Sequence, residues 1–412
     1  MEHSGAVGAP ASPAPASAPL IYLVAGEPSG DVLGAKLMAA LKRRAGERLR
    51  FAGIGGERMM GEGLRSLFPV TDIAVNGLVE VLPALPRVFR RLDEAVADVA
   101  RVRPAVVVTI DAPGFCLRLA DRVRPLGIPV IHYVAPQVWA WRSGRARKLG
   151  RHVDHLLALL PNEPELFTRY GLPTTYVGHP AIEDRALPTD GPGFRTRHRV
   201  PDGARIVVMT PGSRTHVLRR MLPVFAGAVR LLHRRRPDVF VVVAAVAATE
   251  GIIREAAKDW SFPHVVVADL REKRDAIAAA SAALSMTGTG SLELAIADLP
   301  MVVGSRVSTL TAILAWLLVH IKYFSMPNLL LGREVVPEML QFAATPARLA
   351  ARLERLLDDP GEQAAQRAGF AELRALLGGG AQDAATPSDR AAAVVRDRID
   401  AVAGSRLAGK SP

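Results

Sequence analysis

The sequence predicts an α/β protein: two Rossmann-like lobes followed by a C-terminal helical tail. Three observations carry that reading. The chain has 412 residues, enough for two ordinary domains with separate cores. Aliphatic residues dominate while aromatics make up 5%, the balance expected of Val/Leu/Ile-rich strands buried on both faces. An alternation of apolar run, glycine-bearing turn and helical stretch begins twice, at Leu20 and at Arg205. A connection rich in Pro, Gly and Asp, Leu187-Pro-Thr-Asp-Gly-Pro-Gly193, separates the two starts. The chain therefore divides into a leader (1–19), an N-terminal domain (20–186), a linker (187–204), a C-terminal domain (205–344) and helices with a tail (345–412).

The leader is rich in Ala, Pro and Ser and has neither a basic n-region nor an apolar h-region, so it reads as disordered rather than as a signal peptide. Leu20–Ala25 is a buried-strand pattern, followed by Gly26-Glu27-Pro28-Ser29-Gly30-Asp31 and a helix from Val32 to Arg44. The turn lacks G-x-G-x-x-G and is no dinucleotide fingerprint; Ser29 and Asp31 suit caps of the helix that follows. Phe51–Gly56 repeats the strand-to-glycine pattern. In Val75–Arg91, large aliphatics and Phe89 interleave with Arg87, Arg90 and Arg91. That mixture fits either a membrane-interface segment or a core-facing helix with a solvated basic edge.

Ala105–Ile110 is a second buried strand, ending at Asp111-Ala-Pro-Gly-Phe115. In open α/β sheets ligands sit beyond the carboxyl ends of the strands, which makes Asp111 a candidate general base; a helix cap is the plainer role. Strand Pro129–Val134 leads to Trp139, Trp141 and the basic run Arg142, Arg145, Arg147, Lys148 and Arg151. These tryptophans suit a lipid interface or closure of the core. His152 and His155 straddle a helix-to-strand junction, a poor geometry for shared metal ligation. Val153–Leu160 and Thr174–Val177 complete the first sheet, and Gly178-His-Pro180 ends it.

In the second half, strand Arg205–Met209 runs into Thr210-Pro-Gly212-Ser213-Arg214 and helix Leu218–Arg234. Strands Val239–Ala245 and His264–Ala268, with helices Ile252–Lys258 and Asp275–Ala280, continue the alternation. Strand Ala282–Met286 then enters Thr287-Gly288-Thr289-Gly290-Ser291, and a helix is expected to open near Ser291 with Glu293 in its first turn. Short side chains and a helix N-terminus suit a phosphate, and a carboxylate there suits ribose hydroxyls. An ordinary strand–turn–helix reads the same way. Arg214 is able to hold a diphosphate bidentately or to lie on the surface. Ser325-Met-Pro-Asn328 and Gly332–Glu338 form a polar loop that can return to this edge, and the tail reads as helices around Gly378–Gly380.

A net charge of +12 implies an anionic partner: nucleic acid, an acidic membrane or a phosphorylated substrate. No RNA-binding signature or zinc knuckle accompanies it, so nucleic acid is not expected. Cys116 is the only cysteine, which excludes intrachain disulfides and fits a reducing compartment. The most apolar run, Val307–Ile321, falls short of the roughly 20 residues of a spanning helix. No Asp-x-Asp occurs, so metal-dependent handling of a diphosphate is unsupported, and neither metal nor cofactor is expected. Two lobes, a phosphate-holding turn and a carboxylate together suggest a transferase using a nucleotide-activated donor. Its departing diphosphate would be met by the Thr287–Ser291 turn, the helix N-terminus and Arg214.

The chain resembles the lipid-A-disaccharide synthase family, glycosyltransferases of the GT-B fold. The resemblance rests on V-A-G-E-P-S-G-D at 24–31, I-D-A-P-G-F at 110–115 and I-H-Y-V-A-P-Q-V-W-A-W at 131–141. Further blocks are Y-V-G-H-P at 176–180, P-G-S-R at 211–214, T-G-T-G-S-L-E at 287–293 and M-P-N-L-L at 326–330. It implies that UDP-2,3-diacylglucosamine donates its sugar, with inversion, to 2,3-diacylglucosamine 1-phosphate (lipid X) at the cytoplasmic face of the inner membrane. It also implies that Asp111 is the base, that Gly212, Ser213, Arg214, Gly288, Thr289, Ser291, Glu293 and Asn328 lie on the UDP side, and that Glu27, Ser29, Gly30 and Asp31 form the N-lobe loop. Val75–Arg91 then falls on a membrane-contacting surface, and the C-terminal helices allow a homodimer by exchange. The chain departs from the family pattern where Val217 replaces a usual Glu, Cys116 a frequent Asn and Asn162 a Phe. The alternatives are another UDP-sugar protein of this architecture, either a 2-epimerase or a glucosaminyltransferase with a polyprenyl-linked acceptor, and a non-catalytic membrane-binding relative.

Overall fold

The computed structural model describes residues 18–45, 49–73, 78–136, 149–213, 215–306, 322–379 and 385–408. Most of the leader, Trp139, Trp141, the basic run up to Lys148, Arg214 and the apolar run 307–321 lie outside the described residues. The chain separates into two compact units. One comprises residues up to 180 together with those from 381 onward; the other comprises residues 181–380.

The first unit carries β1 (Leu20–Ala25), α1 (Pro28–Ala45), β2 (Arg50–Ile54), α2 (Glu57–Gly61) and β3 (Arg65–Ser66). It continues with α3 (Leu78–Val102), β4 (Val106–Ile110), α4 (Pro113–Val123), β5 (Val130–Tyr133), β6 (His155–Ala158), α5 (Glu163–Thr168) and β7 (Thr174–Tyr176). The strands form one parallel sheet in the order β3-β2-β1-β4-β5-β6-β7. Every residue of β4 is buried, which is why its sequence is continuously apolar rather than alternating. Tyr22 and Val24 of β1 and Val107 of β4 pack with Leu92, Ala95 and Val99 of α3 and Leu119 and Val123 of α4. Each buried Val or Leu among them contributes about 1.5–3 kcal/mol relative to exposure.

The second unit carries α6 (Gly191–Arg197), β8 (Arg205–Thr210), α7 (Thr215–Arg235), β9 (Val239–Ala244), α8 (Ala247–Ala257), β10 (His264–Val267) and α9 (Leu270–Ala279). Then follow β11 (Ala282–Ser285), α10 (Thr289–Ile296), β12 (Met301–Ser305), α11 (Met326–Leu331), β13 (Glu338–Leu340), α12 (Pro346–Asp358) and α13 (Pro360–Arg374). Its parallel sheet runs β10-β9-β8-β11-β12-β13. Met209, Leu218, Met221, Phe225, Val241, Leu284, Val302, Leu349 and Leu353 belong to its core. Residues 187–204, expected as a linker, hold α6 within this unit. Arg197 Nη2 donates to the buried Asp275 of α9 at 2.7 Å and the Asp190 amide donates to the same carboxylate at 2.7 Å.

The last helix, α14 (Pro387–Ala408), belongs to the first unit, where Arg43 of α1 pairs with its Asp389 at 2.9 Å. Arg390 Nε donates to the Val177 carbonyl at 2.8 Å. Several helices begin earlier than the sequence suggests, among them α1 at Pro28 instead of Val32 and α10 at Thr289 instead of Ser291. In the second case Gly288, at φ +124°, turns the chain two residues sooner. Among the described residues no helix is long and apolar enough to cross a membrane.

Candidate functional site

In each sheet the order of connection reverses at one place: between β1 and β4 in the first unit, and between β8 and β11 in the second. Loops leaving neighbouring strands at such a point diverge to opposite faces and open a crevice beyond their carboxyl ends. Most of the residues singled out in the sequence follow the strands at these two places; Asn328 does not, and Arg214 lies outside the described residues.

In the first unit Ala25 and Ile110 are register partners at the ends of β1 and β4. The turns that follow are in contact: a Cβ on Gly26 would lie 2.1 Å from the Ala112 Cβ, so only glycine fits. Asp111 and Ala112 both adopt left-handed backbone, at φ +53° and +43°. Aspartate tolerates that conformation better than most residues, and alanine does so at a cost of about 1 kcal/mol or more. The kink is held by the Asp111 amide, which donates to the Tyr133 carbonyl at 2.9 Å, and by the Phe115 and Cys116 amides on the Ala112 carbonyl. Pro113 then opens α4.

Beneath this turn the Cys116 thiol is fully buried, 3.8 Å from the Val24 carbonyl and 3.9 Å from that of Ile110. Burial above all, then the negative charges of Asp111 and Glu27, push its pKa far up and keep it a neutral thiol. Asp111 and Glu27 therefore act on the same spot. On the neighbouring strand the buried His132 Nδ1 lies 2.8 Å from Thr109 Oγ1, and burial lowers its pKa to about 4. After β6, Glu163 Oε2 accepts from the Leu159 and Leu160 amides at 3.0 and 2.9 Å, and burial raises its pKa to about 7 against those bonds.

Asp31 has a different place from the one expected. It lies in the first turn of α1, but its carboxylate accepts from the amides of Gly56, Arg58 and Met59 at 2.8, 3.1 and 3.0 Å. It caps α2, not the helix it belongs to. His152 and His155 have separate partners, Asp121 and Thr175.

In the second unit two turns meet. The Met286 amide donates to the Thr210 carbonyl at 3.1 Å, Thr210 Oγ1 donates to Ser285 Oγ at 2.8 Å, and a Cβ on Gly212 would lie 3.0 Å from the Met286 sulfur. Gly212 has φ +115° and Gly288 φ +124°, so both turns depend on glycine. From them open α7 and α10, presenting two helix N-termini at one edge, where backbone N–H groups and helix dipoles favour an anion. Ser213 and Thr289 are exposed there; Ser291 is buried, its Oγ donating to the Gly288 carbonyl at 2.7 Å. Glu293 is exposed, but it lies past the first turn of α10, where it was expected, because that helix begins two residues sooner at Thr289.

Asn328 does not face the edge. It is 0% exposed: Nδ2 donates to the Val336 carbonyl and to Glu338 Oε1, and Oδ1 accepts from the Val335 and Val336 amides. That exhausts an amide's hydrogen-bonding capacity. Glu338 is the participant that sequence reasoning passed over; its place at the end of the expected polar loop was visible, its partners were not.

Known proteins resemble this chain in sequence and in fold. A model of the lipid-A-disaccharide synthetase family matches residues 21–386. The lipid-A-disaccharide synthase of Rhodospirillum centenum is 45% identical over 382 residues, covering 92% of this chain and 94% of the relative. That of Paramagnetospirillum magneticum is 47% identical over 384 residues, covering 92% and 97%. Among solved structures, UDP-GlcNAc 2-epimerase from Neisseria meningitidis bound to UDP-GlcNAc matches with a TM-score of 0.60 at 10% identity, over 88% of this chain and all of that one. The kitacinnamycin glycosyltransferase matches at 0.61 and 17% identity, over 93% and 99%. These structural likenesses show the fold, the two-sheet α/β architecture expected from the sequence. With a family match over most of its length and relatives at such identity and coverage, the chain belongs to the lipid-A-disaccharide synthetase family.

Proposed function

We propose that the chain transfers 2,3-diacylglucosamine from its UDP derivative to the 6-hydroxyl of lipid X, giving the β-1,6-linked disaccharide 1-phosphate and UDP. As a family member it is a glycosyltransferase. The observation that carries the finer reading is that Asp111 and the Gly212 and Gly288 turns each sit at the switch point of their own sheet.

In this reading Asp111 takes the proton from the acceptor hydroxyl as that oxygen attacks the anomeric carbon, inverting it. The bond to UDP breaks, and the charge gathering on the diphosphate is met by the N-termini of α7 and α10 and by Arg214. Glu293 receives the ribose hydroxyls. Asn328 acts by holding its loop, since its amide is already spent. No divalent ion takes part, in keeping with a sequence that has no Asp-x-Asp.

Peripheral binding to an anionic inner membrane belongs to the same proposal. It is supported by the net charge of +12 and by α3, where Arg87, Phe89 and Arg90 are exposed and Arg118 stacks 5.5 Å from the Phe89 ring centre. Arg91 is not available to it, being held by Asp72 at 2.6 Å. A homodimer by helix exchange would move α14, which here lies on α1 of its own chain. The test is mass spectrometry of the products formed from both lipids in detergent. The expected product is the disaccharide monophosphate with one UDP released per molecule; a C2-epimerised UDP-sugar would overturn the reading.

A further inference from the structure

Glu338 stands at the start of β13, and its carboxylate gathers four donors, three from the segment leading into α11 and one from α11 itself. Oε2 accepts from the Phe324 amide at 2.9 Å; Oε1 accepts from the Ser325 amide at 2.9 Å, Ser325 Oγ at 2.6 Å and Asn328 Nδ2 at 2.8 Å. All four partners are neutral donors, so the position calls for a group that only accepts. Asn328, fixed by Glu338, in turn fixes the amides of Val335 and Val336. The next residue in the segment closes the circuit: the Met326 amide donates to Ser291 Oγ at 3.3 Å, and that hydroxyl donates to the Gly288 carbonyl at 2.7 Å.

We propose that Glu338 is the positioning residue of the nucleotide turn. Through Ser325, Asn328 and the Met326–Ser291 contact it holds Gly288–Ser291 in the shape that receives a diphosphate. The proposal rests on reading that turn as the diphosphate site. Glu338 need not touch the substrate. It orders the segment that braces the turn, so its loss is felt at the donor and not at the acceptor. Glutamine is an imperfect substitute: its oxygen can serve two of the three donors on the Oε1 side, while its NH2 group then opposes the Phe324 amide.

The test compares the unmodified protein with Glu338→Ala and Glu338→Gln, using calorimetric titration with UDP and kinetics with each lipid varied in turn. Glu338→Ala is expected to bind UDP about 10- to 100-fold more weakly, the effect of losing charge-assisted hydrogen bonds. The KM for the donor should rise likewise while that for the acceptor stays within about twofold, and Glu338→Gln should show a smaller rise of the same donor-only kind. Unchanged UDP affinity in a folded Glu338→Ala protein overturns the proposal, as does an equal rise in both KM values. Should Glu338→Ala fail to fold, Glu338→Gln decides: a donor-only KM effect supports the proposal and none overturns it. If the folded unmodified protein itself does not bind UDP, the diphosphate reading fails first and this inference falls with it.

Discussion

The Cβ that Gly26 lacks would lie 2.1 Å from the Cβ of Ala112, so the turn after β1 and the turn carrying Asp111 are packed to the limit of what a backbone allows. Gly26→Ala must therefore push the two turns apart. A loss of about 1–3 kcal/mol is expected from this overpacking, together with a fall in turnover, because Asp111 adjoins the displaced residue. Gly114→Ala makes the contrast: a Cβ there meets nothing within 4 Å, and the residue lies in α4. That change should gain about 0.5–1 kcal/mol. Calorimetric unfolding of both variants measures the two signs.

Asp31 gives a second separation of fold from function. Its carboxylate accepts three amides of the α2 turn and is 6% exposed. Asp31→Ala should cost about 1–3 kcal/mol in denaturant unfolding, Asp31→Asn less, and neither should alter UDP affinity. A variant of normal stability with impaired activity would move Asp31 into the site.

How far the sequence can be read depends on the range of the interaction. The strand ending at Ile110, and the carboxylate just past it, were legible because a buried parallel strand leaves a continuous apolar run and the residue after it is local to it. The glycine turns at 212 and 288 were legible for the same reason. Asp31 looks like a cap in sequence, but it caps a helix whose turn lies 25 residues on, a pairing only tertiary structure creates. Glu293 lies two residues deeper in α10 than its sequence suggests because the start of that helix is set by the backbone of Gly288, not by the apolar period. Glu338 collects donors from residues 10 to 14 positions away, and no local pattern marks such a hub. The return of α14 to the first unit is likewise invisible in its Ala- and Arg-rich composition.

The pH dependence of stability follows from two buried groups of opposite sign. Burial raises the Glu163 pKa from 4.5 to about 7, so the native state holds a proton the unfolded chain has lost. Its stabilisation is complete below pH 4.5 and disappears as pH rises through about 7. His132 is lowered from 6.5 to about 4, so its contribution is present above pH 6.5 and is lost as pH falls through about 4. Glu163→Gln should flatten the decline between pH 5 and 7, by at most about 3 kcal/mol. Urea unfolding at pH steps of 0.5 checks it, and an undiminished slope in the variant would assign the decline to other groups.

In the proposed reaction the labour falls to a carboxylate at one switch point and a diphosphate turn at the other, and Asp111→Asn measures that division most directly. The variant retains a side chain that tolerates the left-handed backbone but cannot accept the proton. Turnover with both lipids should fall about 10²- to 10⁴-fold, while titration with UDP returns the affinity of the unmodified protein. Near-normal turnover, or a parallel loss of UDP binding, would contradict it.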